Sequence, residues 1–131
     1  MKKIRGYIFS RPFLNERVPQ NVQNLLIREF CKKEELFYNL SASEYAMLNC
    51  YKILYQLMHE LKNLDGIVAY SVFQLPEENN NRNKILKKIL KKKKFFYFAL
   101  ENLKVSKLSD IQKIENNWLI KKTLPYCLNK Y

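Results

Sequence analysis

Four groups of polar residues stand where chemistry could be done. Ser10, Arg11, Arg17 and Gln20 follow a short apolar run, and Ser41, Ser43 and Glu44 follow a second. Tyr70, Ser71 and Gln74 lie in and just after a third, and Glu101 and Asn102 close a fourth. Two arginines near a helix start suit a phosphate or carboxylate, because guanidinium forks and free backbone N–H groups act on the same anion. Glu101 follows a very apolar segment, where partial desolvation raises a carboxyl pKa and opens general acid or base work. Glu44 is a second candidate acid or base and Ser10 a candidate nucleophile, while Tyr70, Ser71, Gln74 and Asn102 would orient substrate hydroxyls. Each has a structural alternative: Arg11 and Arg17 as solvated loop residues, Ser41 and Glu44 as helix caps, Glu101 as a satisfied carboxylate. Neither a Ser-His-Asp set nor G-x-S-x-G surrounds these serines. The one histidine, His59, has no second ligand at metal spacing, so no metal site is expected. Cys31, Cys50 and Cys127 are far apart and lack C-x-x-C spacing, which reads as reduced thiols. With 2 glycines the chain carries neither phosphate-loop signature, G-x-x-x-x-G-K-[ST] or G-x-G-x-x-G, so no nucleotide cofactor is expected.

The elements that must hold these groups alternate. Ile4 to Phe9 predicts a strand, residues 10 to 18 a loop, and Pro19 a helix start followed by Val22, Leu25, Leu26 and Phe30 at helical spacing. Leu36 to Leu40 predicts a second strand. Ser41-Ala-Ser-Glu44 has the form of a capping box, opening a helix to about Leu64 with Met47, Tyr51, Leu54, Met58 and Leu61 on its buried face. Gly66 to Phe73 is nearly all apolar, the pattern of a parallel strand covered on both faces. Pro76, Glu77 and Glu78 would start a third helix and the lysines at 91 to 94 end it, with Ile85, Leu86, Ile89 and Leu90 inward. Phe95 to Leu100 predicts a fourth strand, and Ser109-Asp-Ile-Gln112 a cap before a last helix carrying Ile111, Ile114 and Trp118. The expectation is one α/β domain over 1–131, a parallel sheet of about four strands with helices on both faces in a flavodoxin-like or similar three-layer order. Its core spans 1–104 and a C-terminal helix and tail 105–131. Ligands in such sheets gather beyond the strand C-termini, where the polar groups fall.

A 47% hydrophobic, 27% charged composition excludes extensive disorder. The net charge of +12, from 24 basic and 12 acidic residues, allows an anionic partner without naming a reaction. Arg82 to Lys94 holds eight basic residues and no acidic one, enough to attract phosphate backbones. Against that, its lysines alternate with the inward apolar residues as a solvated face would, and it has a single arginine, the usual base reader. Lys2, Lys3, Arg5 and Arg11 leave too short an apolar run for a signal peptide, and FFYFAL at 95–100 is far too short to span a bilayer. A soluble cytoplasmic protein is expected, and the glycosylation acceptor Asn39-Leu40-Ser41 is then without consequence.

RGYIFSRPF, RVPQNVQN, LSASEYAM, DGIVAYSVFQLP and FFYFALENL together resemble the sporadic carbohydrate cluster protein family, over residues 3 to about 104. The resemblance implies a bacterial protein of surface-polysaccharide and sugar-nucleotide synthesis. Its substrate would be a phosphorylated sugar or nucleotide sugar, with Arg11 and Arg17 on the phosphate. More distantly, the layout is similar to the catalytic domain of serine recombinases, implying a resolvase-like fold. There a Y-x-R-x-S strand precedes a Gln-containing helix, and a later strand runs into L-x-R-x-x-R. Here Tyr7-Ile-Phe-Ser10 has no arginine between tyrosine and serine, and Phe73-Gln74-Leu75-Pro76-Glu77 has Gln and Glu where arginines would stand. Ser10 is at about the nucleophile's place. Three functions follow as expectations: a carbohydrate-pathway protein binding at the strand ends, a nucleic-acid-binding module using the 82 to 94 face, and a non-catalytic partner of a pathway enzyme or of a second copy.

Overall fold

The computed structural model describes residues 2–13, 17–47 and 49–128, with side chains to residue 121. Strand β1 (Lys2–Phe9) leads through a loop to helix α1 (Gln20–Lys33), then to β2 (Leu36–Glu44), α2 (Lys52–Glu60), β3 (Gly66–Ala69), α3 (Asn79–Lys91), β4 (Phe95–Phe98), β5 (Leu103–Val105) and α4 (Ile111–Leu128). Short 3-10 turns at Leu61–Asn63, Val72–Gln74 and Leu108–Asp110 join them. The sheet order is β2-β1-β3-β4-β5, the first four parallel and β5 antiparallel to β4. The sheet therefore has five strands where about four were expected; β5 is three residues, Leu-Lys-Val, too short to leave a period.

Alternation along the strands builds two cores. Tyr7, Phe9, Ile67, Ala69, Phe96 and Phe98 face α2, α3 and α4, meeting Leu54, Leu57, Ile85, Ile89 and Trp118. Ile4, Ile8, Val68, Tyr70 and Phe95 face α1, meeting Ile27, Phe30 and Cys31. Both glycines lie where neighbours press on the backbone: a Cβ would come 2.3 Å from Ser41 Oγ at Gly6 and 2.4 Å from the Phe95 ring at Gly66.

Several element boundaries differ from those the residue pattern predicts. Ser41 to Glu44 continues β2, with Ser41 opposite Gly6 and Ser43 opposite Ile8, so it is not a capping box and α2 starts only at Lys52. Long-range pairing with β1 outweighs the local signal, and Met47, expected to be inward, is 61% exposed. On α1 the buried stripe is Gln23, Ile27, Phe30 and Cys31, whereas Val22 and Leu25 face outward. β3 stops at Ala69 because Ser71 and Gln74 form a capping box: the Ser71 hydroxyl accepts from Phe73 N–H and Gln74 Oε1 accepts from Ser71 N–H. β4 stops at Phe98, and the chain turns through Asn102 at φ 54°. Helix α3 begins at Asn79, after Pro76 to Glu78. Ser109 lies inside a 3-10 turn, and Asp110 rather than a serine caps the approach to α4, accepting from Ser106 and Lys107 N–H. Cys127 lies outside the described side chains. Among the described residues no helix is long and apolar enough to cross a membrane.

Candidate functional site

The polar groups beyond the strand ends form two buried networks. In the first, the Tyr7 hydroxyl donates to Glu44 Oε1 at 2.8 Å, and Glu44 also accepts from the N–H groups of Tyr45, Ile53 and Leu54. Glu44 thus caps α2 from the end of β2, eight residues before the helix begins, where a carboxylate is favoured by the helix dipole. Burial pushes the Tyr7 phenol far above its ordinary range, and the Glu44 charge adds to the rise. Arg11 is 5% exposed. Its Nη1 donates to the carbonyls of Tyr45, Met47 and Cys50 at 2.8 to 2.9 Å, and its guanidinium lies over the Phe9 and Tyr51 rings. Nη2 is buried without a hydrogen-bond partner among the described residues. Arg11 therefore ties Tyr45, Met47 and Cys50 together and is not an exposed fork; the Met47 carbonyl also accepts from Cys50 N–H. Arg17 is exposed and Gln20 half-buried. The Ser10 hydroxyl donates to the Glu44 carbonyl at 3.3 Å.

The second network centres on Gln23, fully buried and not anticipated from sequence. Its amide donates to the Phe9 and Val18 carbonyls, while its oxygen accepts from Phe9 N–H and from Gln74 Nε2. The one signal for it was a glutamine at the position i−4 to Ile27, on the buried stripe. Gln74 continues to Ser71, and the Ser71 hydroxyl donates to Glu101 Oε2 at 2.7 Å while Val72 N–H donates to Glu101 Oε1 at 2.8 Å. Burial raises the Glu101 pKa, and those two bonds oppose the rise. Ser71 and Gln74 are fully buried, Tyr70 packs on the opposite face of the sheet beside Phe13, and Asn102 is an exposed turn residue. Ser43 is exposed on β2. The candidates thus gather at one end of the sheet, but most of their donors and acceptors are already used within the fold.

The charge along α3 is arranged differently. Arg82, the first basic residue, turns inward: it pairs with both Glu115 oxygens at 2.9 Å, donates to the Pro76 and Glu77 carbonyls and stacks on Trp118. Lys84, Lys87, Lys88 and Lys91 follow at i, i+3, i+4 and i+7, an exposed stripe about 10 Å long, continued by Lys92 and Lys93. None of these lysines is in an ion pair among the described residues, and only Lys92 is held, on the Met58 carbonyl.

This arrangement is the fold of resolvase-type catalytic domains. The N-terminal catalytic domain of TP901-1 integrase superposes with a TM-score of 0.63 at 12% identity, over 96% of this chain and 97% of that one. A resolvase family site-specific recombinase from Streptococcus pneumoniae gives 0.61 at 12% identity, over 97% of each chain. No protein-family model matches the chain and no curated protein matches it, so the resemblance to the sporadic carbohydrate cluster family gains no support. At 12% identity the likeness is one of fold. Counted along Y-x-R-x-S from Tyr7, the arginine place holds the buried Phe9 and the serine place holds Arg11, which moves Ser10 one residue off the nucleophile's position.

Proposed function

We propose that this chain is a nucleic-acid-binding module on a resolvase-like fold, gripping phosphate backbones with the lysine face of α3 and lacking the recombinase's strand-transfer chemistry. The observation that carries the reading is the contrast within α3: Arg82 is neutralised by Glu115, while the lysines after it are exposed and unpaired. Exposed cations in a helical row release counterions from a phosphate backbone when they bind, and this supplies affinity without reading bases. Ser10 fits no nucleophilic role in this reading, because its neighbour is a carbonyl and not a base, and Phe9 offers no charge to a phosphoryl transition state.

Fluorescence anisotropy of a short labelled DNA duplex across a salt series tests it. Four lysines engaged on phosphates give a slope of about −3.6 in log K against log salt, roughly a hundredfold loss between 50 and 200 mM. Absent binding at low salt overturns the reading.

The strand-end reading, a phosphorylated sugar or nucleotide sugar held by Arg11 and Arg17, has one supporting observation, the unpartnered Arg11 Nη2. Stabilisation by sugar phosphates that disappears with Arg17→Ala, alongside no DNA binding, would replace the first reading with this one.

A further inference from the structure

A cleft of about 780 Å³ opens between the start of α2, the segment from β3 into α3, and α4. Tyr51, Tyr55 and Trp118 supply ring surface, and Glu77, Glu78 and Asn81 stand with them in the wall. The volume falls within the range of sites that enclose a small ligand. Neither Glu77 nor Glu78 is in an ion pair among the described residues, although the chain carries 24 basic residues. Burial raises the Tyr51 hydroxyl pKa; the Arg11 guanidinium opposes that rise, and the Glu77 charge adds to it. Lys121, also in the wall, points its ammonium towards the Phe73 ring.

Arg11 already lies over Tyr51 and Arg82 over Trp118, so the exposed Tyr55 ring, beside two carboxylates without an ion pair among the described residues, favours one kind of guest. An alkylammonium gains from ring faces and from carboxylate charge together, whereas a phosphate or sugar acid would meet two like charges. We infer that this cleft binds a small organic cation bearing alkylammonium groups, with Tyr55 against its carbon chain and Glu77 and Glu78 on its charge. None of Lys84, Lys87, Lys88 and Lys91 lines the cleft, although Asn81 of the same helix does, and the rest of a +12 molecule repels such a ligand.

Trp118 is the chain's one tryptophan, so its emission reports the cleft directly. Spermidine is the probe, titrated into the full chain at moderate salt, with glucose and AMP as neutral and anionic comparisons. The expected result is a saturable change in emission for spermidine alone, with affinity about tenfold weaker in Glu77→Gln/Glu78→Gln and in Tyr55→Ala. All three side chains are exposed, so these variants keep the fold, checked by unchanged far-UV circular dichroism. No saturable change with spermidine overturns the inference, as does a change that survives the double Gln variant. A saturable response to AMP or glucose in place of spermidine also overturns it. DNA binding by the lysine face is read separately by anisotropy, and either result can fail without the other.

Discussion

The strand-end networks and the lysine stripe of α3 are both rich in polar groups, yet they are opposite in kind. At the strand ends, Glu44 accepts four hydrogen bonds, Gln23 uses both ends of its amide and Arg11 gathers three carbonyls, all from within the chain. Along α3, Lys84, Lys87, Lys88 and Lys91 have no ion-pair partner among the described residues. A buried polar group that is satisfied by its own fold mainly specifies that fold. Exposed cations add little to stability and keep their charge for a partner. Polarity at the expected end of a sheet is therefore a weaker sign of function than polarity left unspent.

Substitutions can break this comparison. The largest effect is expected at Arg82, where replacement by Ala strands Glu115 and the Pro76 and Glu77 carbonyls. Unfolding by urea should show a loss of about 3–5 kcal/mol. A neutral result would put Arg82 with the surface lysines. Next, Arg11→Ala removes the guanidinium from three carbonyls, of which Met47 keeps its bond from Cys50 N–H, and removes the stack on Phe9 and Tyr51, for an expected loss of about 2–3 kcal/mol, with DNA affinity unchanged at temperatures where the variant is folded. Gly66→Ala drives a Cβ into the Phe95 ring, with an expected cost of about 1–3 kcal/mol by the same urea measurement.

Glu101 sharpens the comparison through pH. Its folded pKa is raised by burial, so the native state holds its proton more tightly than the unfolded chain does. Its contribution is then most favourable below the ordinary carboxylate value and is lost as pH rises through the raised folded value. As pH rises above 4.5, urea midpoints should fall more steeply in the wild type than in Glu101→Gln. Equal slopes would show that the carboxylate is as well solvated as a surface one. The smallest effect belongs to Ser10→Ala, where a long hydroxyl bond to a carbonyl is lost; a change within about 0.5 kcal/mol and an unaltered DNA isotherm are expected.

The α/β order was legible because each strand is an apolar run and each helix has its own stripe, as Ile85, Leu86 and Ile89 show on α3. The errors fall where a distant partner decides. Ser41-x-x-Glu44 has the form of a cap, but β1 offers Ser41 and Ser43 a ladder, and Glu44 caps α2 only across the loop that follows. Gln23 hid because a polar residue on an apolar stripe reads as exposed until the Phe9 backbone and Gln74 are brought to it. Arg82 looked like the first member of a basic run because Glu115 is 33 residues away.

The most direct test of the central claim is the salt dependence of DNA-duplex binding by the wild type and by a variant with Lys84, Lys87, Lys88 and Lys91 all replaced by Gln. The account predicts a wild-type slope of about −3.6 or steeper, lowered by about that amount in the variant, with stability changed by less than about 1 kcal/mol. An identical slope in the two proteins, or no binding by the wild type at low salt, would contradict it.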